Sequence, residues 1–225
     1  MKRFLAMLLC VCLILGMVPA GIPLSASAEA IEELTVDESG QGFCEACNKT
    51  VTWTAFSGNA AGTQRYGQVD DGKHYHVYLP ADVDARKIPN YFMHVFSKSQ
   101  MCLHLNGHNL TSTKAPALHG SNGVLNVMGN GTVSGYQKNA NYGGAIHTNN
   151  KNANNGISLY SGTYKKYQPN GNNAVIGMQS NGATVKIYEQ AVIDGNGKLA
   201  INMGSNTTRD SKLYLYDATI NGDIK

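Results

Sequence analysis

An all-β fold, a parallel β-helix of about four to five coils behind a small N-terminal β module, is what this sequence predicts. Three observations predict it. Glycine is abundant, 25 of 225 residues, and often follows asparagine, while charged residues are only 15%. That composition belongs to short strands joined by tight turns. The segments LNVMGNGTVSG (125–135), ISLYSGTYKK (157–166), VKIYEQAVIDG (185–195) and LYLYDATING (213–222) then repeat one pattern. Finally, Ala117-Leu118-His119, Ala145-Ile146-His147, Ala174-Val175-Ile176 and Ala200-Ile201-Asn202 recur at spacings of 28, 29 and 26 residues.

Residues 1–28 read as a secretory signal peptide. Lys2 and Arg3 precede an apolar run from Phe4 to Val18, Pro19 and Pro23 break it, and Ala26-Ser27-Ala28 offers small residues at a cleavage site. The apolar run is shorter than the ~20 residues of a membrane-spanning helix. Removing Lys2 and Arg3 from the 18 basic residues leaves 16 against 15 acidic. That balance supplies no basic stripe for nucleic acid or an anionic membrane. The expected product is a secreted or cell-surface protein, outside the membrane once the signal is cleaved.

Residues 29–43 are acidic and weakly apolar, a linker. Residues 44–101 are expected to form a separate N-terminal module containing CEACNKTVTWTAF (44–56) and the alternating strand KHYHVYLPADV (73–83). Tyr75, Val77 and Leu79 mark its inner face, and His74, His76 and Tyr78 its outer one.

Residues 102–225 carry the repeats. Each begins with an apolar pair two residues apart: Leu125/Val127, Ile157/Leu159, Val185/Ile187 and Leu213/Leu215. A second anchor follows at Val133, Tyr164, Ile193 and Ile220, with glycine two residues later at Gly135, Gly195 and Gly222. LHLNGHNL (103–110) reads as an earlier copy anchored by Leu103, Leu105 and Leu110. One coil cannot bury its own apolar face. Stacked coils place equivalent residues about 4.8 Å apart in continuous interior columns. An antiparallel sandwich has similar strands but does not require repetition at a fixed period. The final coil brings no capping helix, which predicts either a longer parent chain or end-to-end self-association.

MCLHLNGHNL, preceded by HYHVYL and a CxxC-WTAF segment, resembles the start of β-helical surface proteins of gut Firmicutes, and YGGAIHTN resembles the GGA[ILV] repeats of adhesin-like β-helices. The resemblance covers roughly 44–225. It implies a right-handed helix of the pectin-lyase-like type, a fold that carries lyases, hydrolases, adhesins and stalks alike.

Three constellations carry chemistry. Cys44 and Cys47 in CxxC spacing, with His74 and His76 on one side of a strand, compose a Cys₂His₂ set for structural zinc. A Cys44–Cys47 disulfide and plain exposed histidines are the competing readings. Cys102 reads as a small buried hydrophobe. Tyr160, Tyr188 and Tyr216, spaced by 28 residues, should stack outside consecutive coils as a ladder for polysaccharide or a cell-surface partner, with Met128 one coil earlier and Tyr214 in a neighbouring column. Simple reinforcement of the sheet surface is the alternative. His119 and His147 occupy equivalent coil positions and read as exposed.

No complete catalytic centre is apparent. Glu189 and Asp217 align just after the ladder and are the acids a polysaccharide lyase or glycoside hydrolase would use, but no basic partner lies in register. The sequence therefore points to a non-catalytic, adhesin-like β-helix that binds carbohydrate or a surface partner. An enzyme or its remnant, and a structural stalk, stand as alternatives.

Overall fold

The computed structural model describes residues 33–37, 39–58, 64–67, 72–85, 92–138, 143–149, 156–168, 171, 173–179, 182–204 and 211–225. The expected signal peptide lies outside them. Among the described residues no helix is long and apolar enough to cross a membrane.

All regular structure is β. Strands β1 (Gln41–Cys44) and β2 (Lys49–Thr52) form an antiparallel hairpin that, among the described residues, pairs with no other strand. Strands β3 (Thr54–Ala55) and β4 (Gln64–Tyr66) begin the solenoid. The next coils are β5 (His74–Tyr78), β6 (Val83–Asp84) and β7 (Met93–Phe96), then β8 (Gln100–His104), β9 (Leu110–Ser112) and β10 (Leu118–Ser121), then β11 (Val124–Met128), β12 (Thr132–Gly135) and β13 (Gly143–Thr148). The longer strands β14 (Gly156–Lys166) and β16 (Thr184–Asn202) turn corners without a break, with the short β15 (Ala174–Met178) between them, and β17 (Lys212–Leu215) and β18 (Thr219–Ile224) follow. The whole is a parallel β-solenoid of about five turns.

Three parallel ladders run along it, and their inward columns explain the apolar repeats. On the first face Tyr75, Met101, Leu125, Ile157, Val185 and Leu213 stack in register, beside Val77, Leu103, Val127, Leu159, Ile187 and Leu215. On the second, Val83, Leu110, Val133, Tyr164, Ile193 and Ile220 align. The third stacks Met93, Leu118, Ile146, Ile176, Ile201 and Ile224. Burying these columns is the main driving force, since each coil alone leaves its apolar side in water. The columns end in Leu215 and Ile224, which are 45% and 44% exposed. Tyr164 is fully buried, and its hydroxyl donates to the Ser161 carbonyl at 2.8 Å.

Corner glycines are steric necessities at two places. A Cβ on Gly135 would collide with the Gly144 carbonyl, and Gly222, at φ 137°, would meet the Lys198 carbonyl.

Four expectations need correction. The solenoid does not begin at 102, because β3 to β7 already lie in its ladders. The first pair of the 103–110 copy is Met101/Leu103, since these residues align with Leu125/Val127. Ile176, not Val175, stands over Ile146: the register shifts between Gly143 and Ile146, where β13 holds one residue more than β15. His119 and His147 are buried, 2% and 0% exposed. They stack in one column with His94, at ring-centroid distances of 4.2 Å (His94–His119) and 5.2 Å (His119–His147).

Candidate metal centre and aromatic groove

The outer face of the first ladder carries two connected sites. Strand alternation sends His74, His76 and Tyr78 outward, as their spacing predicts. The register pairs His76 with Cys102 on the next coil, which turns the Cys102 side chain outward as well. The β1–β2 turn lies over them. Cys47 N–H donates to the Cys44 carbonyl and Asn48 N–H to the Glu45 carbonyl, both at 3.2 Å. Asn48, at φ 49°, accepts the left-handed conformation that closes the turn. Both sulfurs of the CxxC segment thereby face the sheet.

The ligand atoms of Cys44, Cys47, His76 and Cys102 all lie within 4.8 Å of one another. This group can hold a metal ion. Zinc–sulfur bonds of about 2.3 Å at tetrahedral angles put two sulfurs about 3.8 Å apart. Cys47 Sγ and Cys102 Sγ are 3.8 Å apart, and Cys47 Sγ is 3.3 Å from His76 Nε2. No disulfide joins the three thiols. His74 stands at the exposed edge, outside the four-atom group, stacked on His76 at 4.2 Å. Its Nε2 lies 3.3 Å from Cys102 Sγ, and the Asn126 amide reaches the same sulfur at 3.6 Å. The same His74 nitrogen lies 3.7 Å from Cys47 Sγ, so His74 touches two of the three thiols. The four-atom group thus holds Cys44, Cys47 and His76 of the expected Cys₂His₂ set and adds Cys102.

Protonation is mixed across the set: Cys44 and His76 are poised for a metal, whereas Cys47 and Cys102 must release protons to bind one. Hydrogen bonding from Cys102, then Cys47, holds the Cys44 thiol down at about 6. The same contact with Cys44, together with burial, raises Cys102, and burial raises Cys47. Burial lowers His76 to about 4, with His74 and Lys49 adding to the effect, so its imidazole is neutral near neutral pH. Trp53 seals the inner side. Its indole N–H donates to the Gly42 carbonyl at 3.2 Å, and its ring meets His76 and His104 edge-on at 5.5 and 5.8 Å.

Cys44, Trp53, Cys102 and Met128 form one buried cluster, and Tyr160 packs against it. From Tyr160 the ladder continues as the spacing predicts. Tyr160 and Tyr188 stack at 4.5 Å with planes 6° apart, and Tyr188 and Tyr216 at 4.8 Å and 14°. Ring faces are consumed by the stacking, so the ladder offers edges and hydroxyls along its length. Tyr216, 46% exposed, has the most accessible ring. Tyr214 stands in the adjacent column, in register with Lys186.

Beside the ladder runs a groove of about 310 Å³, lined by Glu45, Tyr160, Tyr188, Glu189, Gln190, Tyr216 and Asp217. Between Leu159 and Ser161 the β14–β16 register shifts by one, so β16 bulges at Tyr188 and Glu189 and both neighbours reach this groove. Asp217, at φ 55°, turns in from the next coil. Glu189 and Asp217 therefore share the groove, and among the described residues no lysine, arginine or histidine lines it. Glu45, between the two hairpin cysteines, is the wall that sequence reasoning missed. A larger groove of about 520 Å³ lies on the second face, with Asp84, Thr111, Ser134 and Lys165 in register at its base. No protein-family model, curated protein or solved structure matches this chain.

Proposed function

We propose that this protein is a secreted or cell-surface β-helix that binds carbohydrate without catalysis, through the groove built on Tyr160, Tyr188 and Tyr216, with zinc at Cys44, Cys47, His76 and Cys102 as a structural staple. The observation that carries the reading is the ladder in its groove. Three tyrosines in consecutive coils present aligned hydroxyls and ring edges next to three carboxylates and an amide. Saccharides are held by such mixtures of apolar edges and polar tips.

Glycan-array binding by the purified chain from residue 31 tests this reading. Saturable binding that disappears when Tyr160, Tyr188 and Tyr216 are all changed to serine is the expected result. Binding that survives the triple substitution moves the site elsewhere, and a blank array from a folded sample favours a structural stalk. Turnover of a polysaccharide that a Glu189→Gln variant abolishes would make the protein an enzyme.

A further inference from the structure

We infer that the metal ion controls the tyrosine groove: bound at Cys44, Cys47, His76 and Cys102, it docks the β1–β2 hairpin and so assembles one wall of the binding site. The inference rests on the metal and groove readings above and adds a linkage between them.

The ligands come from two bodies. Cys44 and Cys47 belong to the hairpin turn, whereas His76 and Cys102 sit on adjacent rungs of the solenoid. An ion at their centre bridges the two. The hairpin has few other attachments. Among the described residues its strands pair only with each other, and a two-stranded hairpin is marginal in water on its own. Apolar contact with the solenoid includes the small cluster of Cys44, Trp53, Cys102 and Met128, two of which are metal ligands, with Cys47 packed against it. Without an ion, the three thiols are held by that packing and by weak sulfur hydrogen bonds.

The groove depends on the docked position at two residues. Glu45 lies between the two hairpin ligands and lines the groove directly. Tyr160 belongs to both sites, packing on the cysteine cluster on one side and stacking on Tyr188 on the other. Release of the turn removes the carboxylate wall and uncovers the first ring of the ladder. Metal binding to the docked state alone shifts docking by the factor 1 + [metal]/Kd, about 100-fold at a hundred times Kd. Tyr216, two coils beyond Tyr160, should respond less.

The test uses the purified chain from residue 31, zinc as the metal, and two readouts that need no glycan. Zinc content and amide hydrogen exchange are measured before and after chelation, and N-acetylimidazole maps tyrosine accessibility by mass spectrometry. One zinc per chain is expected. Its removal should speed exchange across residues 41–52 about 100-fold for a sample held at a hundred times Kd. Acetylation of Tyr160 should rise, while amides of β8, β11 and β14 keep their protection. Cys47→Ser, in the half-buried turn, should reproduce the chelated pattern with zinc present. Stoichiometric zinc whose removal leaves hairpin exchange and Tyr160 acetylation unchanged would overturn the linkage and leave the metal site standing. A folded chain that takes up no zinc would overturn both.

Discussion

Lowering the pH from 7.5 to 5.5 is expected to cost the fold about 3 kcal/mol at His119 and His147 alone. Burial holds the His119 imidazole down at about 2, with repulsion from His94 and His147 adding to it, and burial holds His147 down at about 4. An unfolded imidazole titrates near 6.5. At pH 5.5 the unfolded chain has therefore bound almost one proton at each position, while the folded chain has bound almost none. Each site loses about 1.4 kcal/mol over that interval. The sign follows from the depressed folded values. The stability is fully present above about 7, declines as pH falls through 6.5, and levels off only near the folded values. The assay is denaturant unfolding followed by circular dichroism at several pH values, on the native chain and on His147→Gln. The substitution removes one titrating group, so proton uptake on unfolding should fall by about 0.5 at pH 6.5 and about 0.9 at pH 5.5, whatever it does to absolute stability. Equal pH slopes in the two proteins would refute the reasoning.

Other perturbations have similarly defined outcomes. Tyr164→Phe should cost about 1 kcal/mol in the same unfolding assay, because it deletes the buried bond to the Ser161 carbonyl; Tyr164→Ala should cost roughly 3–5 kcal/mol. Gly135→Ala should destabilise the corner strongly, since its Cβ meets backbone rather than a movable side chain, and a shift in Tm reads this out. Cys102→Ser should abolish stoichiometric zinc, whereas His74→Ala should keep one zinc per chain and weaken its affinity about 10–100-fold in a chelator competition.

The interior was legible because its signal is periodic. Pairs such as Leu125/Val127 and Ile157/Leu159 alternate in sequence and recur by coil, and the ladders stack them as that pattern requires. Registers failed where a coil gained a residue. Val175 was aligned with Ile146 because the motif begins with alanine in both copies, yet the extra residue in β13 moves Ile176 into place. The tyrosine ladder was readable at its constant spacing of 28 residues. Cys102 is buried as its reading as a small hydrophobe expects, but its place in the Cys/His group was not legible, because its direction follows from pairing with His76, 26 residues earlier. Aligning HYHVYL with QMCLHL would have found it, since Val77 then falls on Leu103. The burial of His119 and His147 was not legible, because alternation tells which way a side chain points and not what packs over it. Glu45 was hidden for a related reason: the hairpin's position over the sheet is a tertiary fact that the CxxC spacing does not carry.

X-ray absorption at the zinc edge on the purified, metal-loaded chain tests the central arrangement most directly. The account predicts three sulfur ligands near 2.3 Å and one nitrogen at about 2.0–2.1 Å. Two sulfurs and two nitrogens would instead place His74 in the shell and leave Cys102 out, contradicting the centre described above.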